Sequence, residues 1–417
     1  MEYGLIGEHL PHSFSPEIHK KIGDYKYEIK ELRPEELEDF IKAKDFKGIN
    51  VTIPYKQAVI PFLDEIDEAA KEIGAVNTVV NRGGKLFGYN TDFGGLKALF
   101  ERAGISVSGK KAIILGNGGT SHTAEAVLKN LGAQTILKTD LVQSEGVITN
   151  EEAVLRHSDA EILVNTTPCG MFPKLSGMAV DPADFSNLEG AIDVVYNPLR
   201  TDFVQRAQSL GIPAAAGLYM LVMQAILAAE RFFDKPVPRE KAESIYQELL
   251  RMKKNIVLIG MPSSGKTTVG KLLSEELKMP FFDSDEIIIE KTGREISDIF
   301  EKEGEPAFRK LESEAIFELS GKTGAIISTG GGAVLNPENI KNLSKNGKIY
   351  FINRPLENLV PTSDRPTAST AEAIKKRFEE RFPLYCSNAD KIIDANCSAK
   401  EVCRKIKEDF QNENFGD

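Results

Sequence analysis

Short apolar runs alternate with amphipathic stretches along almost the whole chain. Runs at residues 3–7, 25–32 and 48–53 read as strands. Residues 34–43 read as a helix with proline in its first turn, where a missing N–H costs nothing. Residues 60–73 read as a helix, and 75–81 as a strand ending at the turn Gly83-Gly84. From residue 110 the pattern sharpens. Lys111-Ala-Ile-Ile-Leu115 is continuously apolar, as a strand covered on both faces requires. A glycine turn at 116–119 and a helix through Leu131 follow, with further strands at 135–138, 161–165 and 191–195. Residues 217–233 form a long apolar helix, broken by the two prolines of 234–239, and 240–254 read as a charged amphipathic helix. A second succession starts at Asn255, with strands at 256–259, 325–328 and 348–352 and a helix at 268–277. Strands and helices in alternation predict an α/β fold with parallel sheets.

Length and charge narrow the picture. A chain of 417 residues exceeds one core, so two or three domains are expected at roughly 100–200 residues each. A net charge of −10 argues against a broad nucleic-acid surface but leaves room for a few cations around a small anionic ligand. No run reaches the ~18 apolar residues of a membrane helix; the longest candidate, 218–229, contains Gln224. The first residues, MEYGLIG, lack the basic and apolar regions of a leader. Cys169, Cys386, Cys397 and Cys403 have neither CxxC nor zinc-ligand spacing, so free thiols in a reducing cytoplasm are expected. Neither nucleic acid nor membrane is an expected partner.

Candidate chemistry sits at a few places. Gly260-Met-Pro-Ser263-Ser264-Gly265-Lys266-Thr267 fits GxxxxGK[ST], with a predicted strand before it and a helix from Thr268. Glycines let backbone N–H groups turn inward around phosphate oxygens, and the helix N-terminus adds positive potential. Lys266 is suited to the β- and γ-phosphates of ATP and Thr267 to Mg²⁺. Downstream, Asp283 and Asp285 end a predicted strand, and Arg309 and Glu312 lie one helical turn apart. Gly330-Gly331-Gly332 follows another strand, and Arg365-Pro366 and Arg381-Phe-Pro-Leu-Tyr385 complete the set.

In that order these motifs resemble shikimate kinase, across residues 255–410. The resemblance implies a P-loop domain of the nucleoside monophosphate kinase type that phosphorylates shikimate with ATP and Mg²⁺. It implies that Gly260, Ser263, Ser264, Gly265, Lys266, Thr267 and Thr268 hold the ATP phosphates. Lys266 and Asp283 would be catalytic, with Thr267 and Asp283 serving the metal. Asp285 would bind acceptor hydroxyls, Arg309 and Arg381 would clamp its carboxylate, and Gly330, Gly331 and Gly332 would line its site. Arg365 would approach the transferring phosphate from a lid. The stretch 356–365 is shorter than the family's lid, with Val360 and Pro361 where an arginine commonly stacks on adenine.

The first hundred residues carry a second set: His12-Ser13-Phe-Ser15-Pro16, Asn50-Val-Thr52-Ile-Pro-Tyr-Lys56, Ala75-Val-Asn77-Thr78 and Gly88-Tyr-Asn90-Thr91-Asp92. Hydroxyl, amide, ammonium and carboxylate groups suit a polyhydroxylated acid. The set resembles shikimate dehydrogenase, over about residues 1–235. The resemblance implies that Ser13 and Ser15 bind the substrate carboxylate, and that Thr52, Asn77 and Asp92 hold hydroxyls. Lys56 and Asp92 would be the catalytic pair. Lys56 would donate a proton or a charged hydrogen bond to the ketone oxygen as hydride arrives, and Asp92 would keep it charged. Tyr196 and Gln224 match positions near substrate and nicotinamide.

Gly116-Asn117-Gly118-Gly119-Thr120 opens a helix after a buried strand, the context of a Rossmann-like pyrophosphate loop. Asn165-Thr-Thr167-Pro-Cys169 resembles the family's nicotinamide-side loop, with Cys169 a small filler. NADP is the expected cofactor and NAD the alternative. The family's arginine for the 2′-phosphate gives way here to Lys138-Thr139-Asp140, and His122 stands where a basic residue often follows the glycine loop. Lys138 could meet the phosphate as a point charge; Asp140 could accept from a free 2′-hydroxyl. Residues 140–161 read as too few for a full helix plus strand.

The expected organisation is a substrate-binding domain at 1–100 and a Rossmann-like domain at 101–235, whose helix 217–233 returns to the first. A linker helix at 236–254 and the P-loop domain at 255–417 follow. The function implied is bifunctional: NAD(P)H-dependent reduction of 3-dehydroshikimate to shikimate, then phosphorylation of shikimate to shikimate 3-phosphate. A rival reading makes the first half a non-catalytic shikimate-binding regulatory module on an active kinase. The Lys56/Asp92 pair favours catalysis; the short cofactor segment favours the rival.

Overall fold

The computed structural model describes residues 1–10, 13–359 and 371–412. The chain forms two compact units, the first Met1–Glu248 and the second from Leu249 onward.

The first unit holds two six-stranded sheets. One runs in the spatial order Tyr27–Glu31, Tyr3–Gly7, Gly48–Val51, Thr78–Arg82, Lys85–Tyr89, Glu65–Ile66. Its first three strands are parallel, and Thr78–Arg82 pairs antiparallel with both neighbours. The Thr78–Arg82/Lys85–Tyr89 hairpin turns at Gly83 and Gly84, both at positive φ, as a two-residue turn matched to strand twist requires. The other sheet is all parallel, in the order Ala214–Ala216, Gly190–Asp193, Ile162–Asn165, Lys111–Leu115, Thr135–Asp140, Val147–Thr149. Ile113, Ile114 and Leu163 are fully buried, as the unbroken apolar runs predict.

Helices Thr91–Arg102 and Leu218–Phe233 pack together between these sheets' cores. Bare backbone permits the approach: a Cβ on Gly95 would lie 2.7 Å from the Met220 carbonyl oxygen. The start of helix Arg239–Lys253 packs on the same unit. Arg102 bonds Glu243 at 3.1 Å and lies over the Tyr246 ring, which meets Tyr219 edge-on at 5.2 Å.

Two expectations fail here. Residues 60–73 are not one helix but a 3-10 turn Ile60–Phe62, a short strand Glu65–Ile66 and a helix Glu68–Ile73. Pairing of Glu65 with Phe87, and the Leu86 N–H donated to Asp64 at 2.8 Å, override local helical preference. Asp67 then caps the real helix by accepting from the Ala70 N–H at 2.8 Å. Residues 140–161 do accommodate a strand and a helix. Val147–Thr149 extends the sheet and Asn150–His157 is a two-turn helix, capped by Thr149 accepting from the Glu152 N–H at 3.1 Å. The economy lies in adjacency: the strand's last residue is the helix cap.

The second unit is a five-stranded parallel sheet ordered Phe281–Asp283, Ile326–Ser328, Asn255–Ile259, Gly347–Asn353, Lys391–Asp394. Val257, Ile259, Ile327, Phe351 and Tyr385 lie in its core. Helix Ile296–Ser320 is broken at Gly304, whose φ of 82° and ψ of 173° are non-helical. Among the described residues no helix is long and apolar enough to cross a membrane.

Candidate active sites

In the first unit, loops leaving the C-terminal ends of Tyr3–Gly7 and Gly48–Val51 carry Ser13, Ser15, Thr52 and Lys56 to one end of the sheet. The Asn77 carbonyl accepts from the Val51 N–H at 2.8 Å and the Asn77 N–H donates to Tyr89 at 3.1 Å, so Asn77 and the start of helix Thr91–Arg102 join that end. Lys56 Nζ lies 2.5 Å from Asp92 Oδ2, with the two side chains 21% and 12% exposed. Asp92 sits in the first turn of its helix, where the N-terminal dipole favours a carboxylate. Asn90 caps this helix, accepting from Phe93 N–H at 3.1 Å.

Hydrogen bonds fix the orientation of Asn77. Its Oδ1 accepts from the Thr91 N–H at 2.7 Å, and its Nδ2 donates to Thr91 Oγ1 at 3.0 Å. The amide oxygen is thus committed to the protein. Behind it, Asn50 Nδ2 donates to Thr78 Oγ1 at 3.0 Å and Tyr27 OH donates to Asn50 Oδ1 at 2.7 Å. His19 stacks on Tyr27 at 3.7 Å and its pKa is pushed down to about 3 by burial, so it serves this layer as a neutral ring. Asn50, Thr78, Thr91 and Tyr27 were given no role by the motifs, because their partners are remote in sequence.

Ser15 is buried at the start of helix Ser15–Ile22, and its N–H donates to Ser13 Oγ at 3.3 Å. Gln224 is buried on helix Leu218–Phe233, with Nε2 donating to the Leu221 carbonyl at 2.9 Å. The Tyr196 ring stands 5.4 Å from Phe14, and burial pushes its phenol pKa up. His12 lies outside the described residues.

The parallel sheet offers a dinucleotide cradle. Strand Lys111–Leu115 ends in Gly116, at φ 101°, where a Cβ would lie 2.9 Å from Thr167 Cγ2. Asn117, Gly118 and Gly119 are exposed, Thr120 is half-buried, and a Cβ on Gly118 or Gly119 would meet nothing within 4 Å. Open space before a helix N-terminus fits a pyrophosphate. Thr167 Oγ1 donates to Asn165 Oδ1 at 2.7 Å, and Asn165 Nδ2 to Asp193 at 2.9 Å. Burial raises the Cys169 thiol pKa, which suits a filler rather than a nucleophile.

Lys138 is already paired: its Nζ lies 2.6 Å from Glu125 Oε2, while Lys129 holds the other Glu125 oxygen at 2.7 Å. Burial raises the Glu125 carboxyl, but Lys129 and Lys138 together hold it below its ordinary value. By strand alternation Asp140 shares the face of Lys138, and its Oδ1 accepts from the Leu141 N–H at 2.7 Å.

In the second unit, Gly260, Ser263 and Gly265 take positive φ, which wraps the loop before helix Lys266–Leu277. Lys266 Nζ donates to the carbonyls of Gly260 at 3.0 Å and Met261 at 2.9 Å. Thr267 Oγ1 donates to Asp283 Oδ2 at 2.9 Å, so the hydroxyl and carboxylate suited to one Mg²⁺ stand side by side. A cavity of about 270 Å³ is lined by Lys266, Thr267, Thr268, Asp283, Asp285 and Thr329, among others. Ser264 is buried beneath the loop. Among the described residues no cluster of three or more metal-ligating side chains occurs; a metal held mainly by phosphates needs none.

The glycine triplet lets side chains close on bare backbone. A Cβ on Gly330 would lie 2.6 Å from Glu312 Oε1 and 2.8 Å from Asp285 Oδ1; one on Gly332 would collide with Arg309 Nη1. Arg381 Nη1 donates to the Gly331 carbonyl at 3.0 Å, and Tyr385 OH donates to the same oxygen. Arg309 Nη1 donates to Glu312 Oε2 at 2.8 Å. Burial, opposed by Arg309, raises the Glu312 pKa. Arg365, Val360 and Pro361 lie outside the described residues.

Comparison with known proteins agrees with both halves. The profile of the shikimate dehydrogenase substrate binding domain matches residues 5–79, and that of shikimate kinase matches residues 262–411. A shikimate dehydrogenase (NADP(+)) from Clostridium perfringens is 38% identical over 271 residues, spanning 59% of this chain and 97% of that protein. Shikimate dehydrogenase 1 from Peptoclostridium difficile superposes with a TM-score of 0.55 at 38% identity, over 60% of this chain and 98% of that one. Shikimate 5-dehydrogenase from Thermus thermophilus, solved with NADP(H) and shikimate, gives a TM-score of 0.54 at 28% identity, over 60% of this chain and 99% of that one. The chain belongs to the shikimate dehydrogenase family and carries a shikimate kinase domain behind it, which makes it a two-enzyme chain of the shikimate pathway.

Proposed function

We propose that the first unit reduces 3-dehydroshikimate to shikimate with NADPH, and that the second phosphorylates shikimate to shikimate 3-phosphate with ATP and Mg²⁺. The observation that carries this reading is the Lys56–Asp92 pair at 2.5 Å. A module that only binds shikimate has no need of an ammonium and a carboxylate brought into direct contact. The six-stranded parallel sheet, with its strand and helix at 147–157, supports a complete cofactor domain.

When bound, the reduced nicotinamide would supply hydride, ATP would supply a phosphoryl group, and Mg²⁺ would offset its charge. Lys56 donates to the ketone oxygen as negative charge grows there. Asp92 accepts from a neighbouring hydroxyl and holds the Lys56 ammonium in place, and Asn77 Nδ2 donates to a hydroxyl oxygen on the ring. Ser13 and Ser15 take the carboxylate; Thr52, Tyr196 and Gln224 complete the enclosure. In the kinase, Lys266 would exchange the loop carbonyls for ATP phosphates, and Thr267 and Asp283 would hold the metal. Asp285 accepts from the acceptor's hydroxyls, and Arg309 and Arg381 hold its carboxylate. The test is direct: NADPH absorbance followed with 3-dehydroshikimate, and ADP release followed with shikimate, in the same preparation. NADPH that stays unconsumed while ADP forms would leave the first unit a binding module.

A further inference from the structure

Arg309 does not present an open fork. A guanidinium has two edges for bidentate recognition, one formed by Nη1 and Nη2 and one by Nε and Nη2. Glu312, buried to 1% exposure, takes Nη1. The Nε–Nη2 edge faces a different carboxylate: Glu305 Oε1 lies 2.7 Å from Nη2 and 3.2 Å from Nε. With Nη1 taken by Glu312, that edge is the one left for a second carboxylate.

Glu305 is built to leave. Its side chain is 48% exposed. It follows Gly304, where the helix is broken, and precedes Pro306, which has no N–H to tie the turn back. It lines a cavity of about 590 Å³ with Arg309, Lys310, Ser313 and Asn336, where room and a second cation are at hand. Its charge is nevertheless held in place. Arg309 above all, with Arg381 and Arg377 adding, keeps the Glu305 carboxyl below its ordinary value against the opposing effect of burial.

We propose that Glu305 is a placeholder for the acceptor's carboxylate. It occupies the recognition edge of Arg309 while the site is empty and must be displaced when an acceptor binds. It therefore sets acceptor affinity, and it favours acceptors whose own anion can replace it. The proposal rests on the kinase reading of the second unit and extends it to a residue outside the motifs.

The experiment measures the kinase KM for shikimate and for ATP in the full chain and in Glu305→Gln and Glu305→Ala. The dehydrogenase KM for shikimate in the same chain serves as an internal control. Displacing a half-exposed ion pair is inexpensive, so both variants are expected to lower the kinase KM for shikimate by roughly two- to five-fold. The ATP and dehydrogenase constants should stay unchanged. A raised KM for shikimate would mean that Glu305 positions Arg309 for the ligand, and an unchanged one that the contact is idle; either overturns the proposal. Wild-type chain that fails to phosphorylate shikimate at all would overturn the kinase reading, and the proposal with it.

Discussion

Replacement of Lys56 by methionine isolates the chemistry of the first unit. Methionine keeps an unbranched apolar side chain of similar reach and removes only the ammonium. In the structure that ammonium has one carboxylate partner, Asp92 at 2.5 Å, and both side chains are mostly covered. A positioned general acid contributes about 10²–10⁴-fold, so kcat for NADPH-dependent reduction should fall by that factor, about 3–5 kcal/mol of barrier. The KM for 3-dehydroshikimate should move far less. Because Lys56 and Asp92 act as one device, Lys56→Met/Asp92→Asn should be little worse than Lys56→Met alone. The assay is steady-state nicotinamide absorbance, with NADPH binding by fluorescence to show that the unit remains folded. A kcat loss smaller than about tenfold with a large rise in KM would make Lys56 a substrate-binding cation only. Fully additive effects in the double variant would refute the shared role.

Lys266→Met should abolish ADP release with shikimate and leave NADPH oxidation intact; loss of both activities in a folded chain would contradict independent sites. Arg309→Lys and Arg381→Lys, which keep charge but lose the planar fork, should raise the acceptor KM by about tenfold to a hundredfold, far more than the ATP KM. Equal effects on the two constants would remove the carboxylate clamp. Because Lys138 is already paired with Glu125, Lys138→Ala should change the NADPH/NADH ratio of kcat/KM by no more than about threefold. Asp140→Asn should raise it, since a carboxylate repels a 2′-phosphate. A large loss of NADPH preference in Lys138→Ala would restore the phosphate-binding role that the sequence suggests for it.

What the sequence disclosed and what it hid have physical reasons. Strands such as Lys111–Leu115 and Asn255–Ile259 are legible because a strand buried on both faces must be apolar without interruption. The motif loops are legible because backbone geometry and chemistry dictate residue type at close spacing. Residues 60–73 misled because Glu65–Ile66 is held by pairing with a strand twenty residues away, a contact that local preference cannot report. The strand and helix at 147–157 were hidden because Thr149 does two jobs, ending one element and capping the next. Thr91, Thr78 and Asn50 orient Asn77 through side-chain bonds that only the folded sheet creates. Glu305 was within reach, since Glu at four residues before Arg309 is the spacing of a helical ion pair; the Gly304 break that frees it is apparent only in the backbone.

That one chain carries out two consecutive reactions is tested by supplying purified protein with 3-dehydroshikimate, NADPH, ATP and Mg²⁺ and following the products by mass. The expected product is shikimate 3-phosphate, formed only when both NADPH and ATP are present, with shikimate accumulating when ATP is omitted. Consumption of ATP on added shikimate with no product from 3-dehydroshikimate would contradict it.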